Sequence, residues 1–265
     1  MEGSGLSNDL EGKAAVVTGG SRGIGRAIAE ALLAAGASVM ISGRSEEKGK
    51  AAVEEMGGER VAFQAGDARA QADVEGLIDA TVAAFGPVDI LVNNAGGSSG
   101  FALVGELSDE SWQEAADWIL NSTFWATRRV LPAMKDRGWG RIINVSSLES
   151  KYIKTPMASH YCTFKAAVNA FSRAVAVEYS RFGVTSNCIC PGGVETDLTR
   201  SAGMENAAAT GITYEEFLDH YAKDTLTGKL NTVEECAAVA MLLASPAGAG
   251  ITGTAINVDG GTSPW

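Results

Sequence analysis

A phenol and an ammonium stand four residues apart in Tyr161-Cys162-Thr163-Phe164-Lys165. On a helix the i, i+4 spacing puts both groups on one face. A free tyrosine titrates near ~10, and a neighbouring cation favours its phenolate, moving it toward the pH at which it donates and accepts protons efficiently. The alternative is a half-buried tyrosine beside a solvated lysine, so the surroundings decide. Fourteen residues before Tyr161, Ser146 and Ser147 end a β-rich run, where a hydroxyl can hydrogen-bond a substrate oxygen. Asn93-Asn94-Ala95-Gly96 ends another such run. Its glycine lets backbone approach a ligand closely and its amides can brace neighbouring loops.

Near the start, an apolar run leads into Thr18-Gly19-Gly20-Ser21-Arg22-Gly23-Ile24-Gly25, and Ile24, Ala27, Ile28, Ala31 and Leu32 then repeat at helical spacing. Strand, glycine turn and helix in that order form a cradle for a pyrophosphate, whose charge is stabilised by exposed N–H groups and the positive end of the helix dipole. About twenty residues beyond such a loop, an NAD-binding unit places a carboxylate for the ribose 2′-hydroxyl. Here the position reads Ser42-Gly43-Arg44. No carboxylate stands there to repel a 2′-phosphate, and Arg44 and Arg22 can contact one. The reading favours NADP(H) over NAD(H), although Glu46 and Glu47 weaken the local positive field.

These groups need a scaffold. β-rich runs at 14–18, 38–42, 61–64, 89–92, 141–145, 185–190 and 254–258 alternate with helical patterns. That alternation predicts an α/β fold of Rossmann type: a doubly wound, parallel, seven-stranded sheet with helices on both faces. Val74, Leu77, Ile78, Val82 and Phe85 give one of those helices its apolar face. At 265 residues the expectation is a single catalytic domain, 1–265. The long stretch without a firm period, about 197–227, reads as a substrate loop in which Met204, Ile212, Tyr214, Phe217, Leu218 and Tyr221 close over an apolar ligand.

A formal net charge of -11 with no basic patch argues against nucleic acid as a partner. The first residues lack a signal-peptide or transit pattern and no apolar run is long enough to span a bilayer, so the expectation is a cytoplasmic protein with no membrane partner. Cys162, Cys188, Cys190 and Cys236 form no CxxC pair, and with only His160 and His220 to join them no metal site or disulfide is expected.

Taken together, TGGSRGIG at Thr18, NNAG at Asn93, the strand end at Ser147, YxxxK at Tyr161, PGG at Pro191 and VDGG at Val258 make the chain resemble the short-chain dehydrogenase/reductase family over almost its whole length. The resemblance is to its compact single-domain members, similar to 3-oxoacyl reductases. It implies NAD(P)-dependent interconversion of a ketone and a secondary alcohol, with Tyr161 as general acid/base, Lys165 lowering its pKa and holding the nicotinamide ribose, Ser147 orienting the carbonyl, and Asn121 anchoring a relay water. It also implies a cofactor site made of Gly19, Ser21, Arg22, Gly23, Ile24, Gly25, Arg44, Asp67 at the adenine, Asn94, Ala95, Gly96, Tyr161, Lys165, Pro191 and Gly192, with Val194 and Thr196 on the carboxamide. Gly66-Asp67-Ala68 departs from the family's more usual Asp-Val, and the 147–161 loop is a residue or so longer than in many members.

The substrate is read as a small carbonyl or alcohol compound, and 3-oxoacyl thioesters, polyketide-like or cyclic ketones and small secondary alcohols all stay open. Position assigns Ser98, Glu149, Tyr152, His160 and Glu195 to its pocket. Glu149 has two readings: an ion pair with Lys151 or Lys154, or a pocket carboxylate receiving a hydroxyl or ammonium. Apolar helical surface at 118–130 and 166–177 points to a homodimer or, as the resemblance implies, a homotetramer with the VDGG end and Trp265 near a subunit contact. The rival from another class is a catalytically silent cofactor-binding regulator.

Overall fold

In the computed structural model, which describes residues 9–196, 199–200, 203–204, 207 and 210–263, seven strands form one parallel sheet. They are β1 (Ala14–Val17), β2 (Ser38–Gly43), β3 (Val61–Ala65), β4 (Ile90–Asn93), β5 (Gly140–Val145), β6 (Val184–Pro191) and β7 (Ala255–Val258). Their spatial order is β3-β2-β1-β4-β5-β6-β7. Every residue of β1, β4, β5 and β6 is buried, as a sheet covered on both faces requires.

The helices are α1 (Gly23–Ala34), α2 (Glu46–Glu55), α3 (Gln71–Phe85), α4 (Asp109–Ala115), α5 (Ser122–Arg137), α6 (Ser159–Tyr179), α7 (Tyr214–Lys223) and α8 (Val233–Ala244). On one face Ile28 and Leu32 of α1 and Leu243 of α8 pack over Val39 and Ile41. On the other, Leu77 and Ile78 of α3 join Val130 and Met134 of α5 over Leu91 and Ile142. Each such side chain stabilises the sheet by roughly 1.5–3 kcal/mol. A third cluster, Ile119, Phe164 and Val168, lies where α6 meets a π-helical turn, Ala116–Asn121, that joins α4 to α5.

The chain builds outward from β1 through β2 to β3, then returns to β4 on the other side. Strand order therefore reverses between β1 and β4, whose ends align in register at Val17 and Val92. The crevice at the carboxyl ends of these strands is the binding edge of such a sheet.

The 197–227 stretch is not without regular structure, since it contains α7. Thr213 caps that helix in a reciprocal box with Glu216, and Tyr214, Phe217 and Tyr221 stack along it with centroids 6.2 and 5.0 Å apart. Their i, i+3, i+7 spacing was a helical signal within a polar, weakly periodic segment. No helix among the described residues is long and apolar enough to cross a membrane.

Candidate active site

The glycine loop follows β1 as the sequence predicts. Gly19 and Gly23 hold φ of +66° and +57°, which disfavour any side chain. At Gly25 a Cβ would stand 2.4 Å from the Asn94 amide nitrogen and 2.6 Å from the Gly19 carbonyl oxygen, so only glycine lets α1 start this close. Ser45, Ser108, Thr213 and Thr232 cap their helices through side chains. By contrast, α1 has no side-chain cap and no acid in its first turn. Its leading N–H groups and dipole face the crevice, and they fit the pyrophosphate of a dinucleotide.

Asn94 braces this loop: its amide donates to the carbonyls of Thr18 at 2.9 Å and Gly19 at 3.2 Å. Thr18 Oγ1 accepts in return from the N–H groups of Asn94 and Ala95, both at 2.9 Å. Asn93, one residue earlier, ties β4 to Asn144 of β5 at 2.8 Å and to Thr127 of α5 at 3.2 Å. Beyond β6, Pro191 is buried, Gly192 lies against Asp259, and Val194 is buried and bridged to Asn231. Thr196 reaches the glycine loop, within 3.5 Å of a Cβ placed on Gly23.

At the crevice's other end β5 and α6 bring Ser147, Tyr161 and Lys165 together. The Ser147 hydroxyl, beside Tyr161, accepts from the Glu149 N–H at 3.2 Å. Desolvation pushes the Tyr161 hydroxyl up, the nearby Ser147 hydroxyl pulls it down, and the charge of Glu149 raises it again. Lys165 is buried and its Nζ lies 5.8 Å from the Tyr161 ring centroid. It donates to the Val145 carbonyl at 2.7 Å and borders Gly96, whose Cβ would stand 3.2 Å from Nζ. Burial without a carboxylate partner lowers Lys165 to about 8. The expected lowering of Tyr161 is not seen: desolvation of the phenol dominates and holds the hydroxyl above its ordinary value. Ser146 is the structural serine, its Oγ donating to the Lys165 carbonyl at 3.0 Å.

The Asn121 amide donates to Asp117 Oδ1 at 2.6 Å, one turn back. Ile119 of the same π turn is buried beside Gly96 and packed with Phe164 and Val168. His160 departs from expectation: it is wholly buried, its Nε2 pairs with the Ser99 carbonyl at 3.0 Å, and Phe101 packs edge-on against it. It anchors the loop after β4 and does not line the pocket.

Glu149 forms an ion pair with neither Lys151 nor Lys154 among the described residues. Its carboxylate accepts from the Lys154 N–H at 3.1 Å and the Thr155 hydroxyl at 2.7 Å, with the Cys162 thiol at 3.5 Å. Lys154 instead pairs with Asp224 at 2.7 Å, and Lys151 donates to the Ala255 carbonyl and Asn257. Glu149 therefore staples the loop after β5. Glu195 is engaged by Arg200 at 2.7 Å, Tyr152 is exposed, and the Ser98 hydroxyl is buried without a partner. The four cysteines are free and buried. Trp265 lies outside the described residues.

A parallel sheet with this strand order, a glycine-lined helix start at its switch point and a Ser, Tyr, Lys cluster on the same edge define a dinucleotide-dependent oxidoreductase. Residues 13–207 match the family model for short chain dehydrogenase, and the chain belongs to that family. It is 36% identical over 255 residues to D-beta-hydroxybutyrate dehydrogenase of Cupriavidus necator, covering 95% of this chain and 98% of the relative. It is 38% identical over 253 residues to the monensin polyketide synthase putative ketoacyl reductase of Streptomyces virginiae, covering 94% and 96%. A crystal structure of actinorhodin polyketide ketoreductase with NADPH superposes with a TM-score of 0.89 at 34% identity, covering 96% of this chain and 98% of that one. The protein is thus a short-chain NAD(P)-dependent oxidoreductase of the kind that interconverts ketones and secondary alcohols.

Proposed function

We propose that this chain is a single-domain ketoreductase in which Tyr161 gives a proton to the substrate oxygen on reduction and takes it back on oxidation. The observation that carries the reading is the meeting of Ser147, Tyr161 and Lys165 at the edge where the glycine loop opens. The bound dinucleotide supplies or accepts the hydride. Ser147 donates to the carbonyl oxygen and fixes its distance from the phenol. Lys165, beside Gly96 after β4, holds the ribose.

NADP(H) is the preferred cofactor on this reading, with NAD(H) usable. Neither Arg22 nor Arg44 forms an ion pair among the described residues, and both guanidiniums are available to a 2′-phosphate. The substrate is a small ketone with an apolar body. Phe101, Tyr152, Ile153, Met157 and Tyr221 leave apolar surface exposed on the loops after β4 and β5 and on α7. The enzyme works in the cytoplasm as a homotetramer.

Absorbance assays with NADPH and NADH over a panel of acyclic, cyclic and thioester ketones test the reading. Turnover with at least one ketone, faster with NADPH, is the expected result. Tight cofactor binding with no turnover in either direction would support the silent regulator instead.

A further inference from the structure

The reacting end of the dinucleotide belongs at Tyr161 and Lys165 and its pyrophosphate at the start of α1, so its adenosine end must run to the carboxyl ends of β2 and β3. The loops after β2, β3 and β4 meet there around one indole. Trp118, on the π turn, is half-buried and belongs to none of the three apolar clusters. It packs so closely against the loop after β4 that a Cβ on Gly97 would stand 3.0 Å from its ring. Two guanidiniums lie over the indole, Arg44 at 5.5 Å and Arg69 at 5.7 Å from its centroid.

The two arginines are in different situations. Arg69 is held by Asp67, with Nη2 to Oδ2 at 2.6 Å, and by Glu114, which also receives the Ser99 hydroxyl. The Arg69 bond lowers the Asp67 carboxyl, and the Ser99 hydroxyl, with Arg69 behind it, lowers that of Glu114. Arg69 also occupies Asp67, the residue assigned to adenine from the sequence. Arg44 is exposed, has no ion-pair partner among the described residues, and its charge is directed onto the indole face.

From this geometry we infer that Trp118 and Arg44 are the two walls of the adenosine slot. The base inserts between indole and guanidinium and replaces one stacking contact with two. Arg44 then faces the ribose 2′ position, while the Arg69, Asp67 and Glu114 network fixes the slot's floor. Trp118 is a binding residue that acts on cofactor affinity. The part concerning the 2′-phosphate rests on the NADP(H) reading above; the indole wall does not.

The full chain is titrated with 2′,5′-ADP and with 5′-AMP, following intrinsic tryptophan fluorescence and, separately, heat. We expect both nucleotides to quench the parent. Trp118→Phe removes most of the quench while its calorimetric Kd stays within about threefold, because a flat aromatic wall remains. Trp118→Leu weakens both ligands about tenfold, and Arg44→Ala weakens 2′,5′-ADP by far more than 5′-AMP. An unaltered quench in Trp118→Phe, or parental affinity for 5′-AMP in Trp118→Leu, overturns the indole wall. Equal effects of Arg44→Ala on the two ligands overturn the 2′-phosphate reading and leave the wall to be judged on 5′-AMP alone.

Discussion

Lys165 of α6 donates through Nζ to the carbonyl of Val145 at the end of β5, 2.7 Å away, and Ser146 of the same strand end donates back to the Lys165 carbonyl at 3.0 Å. The ammonium is thus fixed in a buried site that lowers it to about 8 without a carboxylate to offset the burial. Because its folded pKa lies below its unfolded one, the unfolded chain binds more protons between about 8 and 10.5, and the folded protein gains stability as pH rises through that window. Below it, the buried charge costs about 3 kcal/mol, part of which the Val145 bond returns.

Lys165→Met is expected to abolish turnover and yet raise Tm at pH 7 by roughly 2–6 °C. The advantage shrinks as pH rises past about 8, where the parent sheds its charge. Thermal melts from pH 6 to 10 check this, and a variant less stable than the parent at pH 7 contradicts it.

Tyr161→Phe keeps the ring and removes the transferable proton. Turnover should fall by roughly 10²–10⁴ while the calorimetric Kd for NADPH stays within about threefold. Near-parental kcat on any ketone would remove Tyr161 from its assigned role.

The Asn121 amide is committed to Asp117, one turn back. Asn121→Ala is expected to keep kcat within about twofold, since it removes one hydrogen bond worth only ~1 kcal/mol of stability. A tenfold loss of kcat in a variant with parental Tm would return this amide to the proton path.

Glu149 holds its loop through Lys154 N–H and the Thr155 hydroxyl. Glu149→Gln should lower Tm by roughly 2–4 °C and leave the ratio of kcat/KM between matched cationic and neutral ketones unchanged. A shifted ratio at parental Tm would establish the carboxylate as a substrate contact.

The strands, the glycine loop and the Tyr161, Lys165 pair were legible in the sequence because each is encoded locally: apolar runs of strand length, a strand-to-helix turn that only glycines permit, and an i, i+4 spacing on a continuous helix. Ser147 was legible because it ends such a strand. The packing around a π turn was not, since the turn changes the angular phase at which Ile119 is buried and the Asn121 amide meets Asp117. Nor were the partners of Glu149, Asp67 and Arg44, or the depression of Lys165. Those depend on loops distant in sequence meeting at one sheet edge and on how deeply each group is desolvated there, which a linear pattern does not carry.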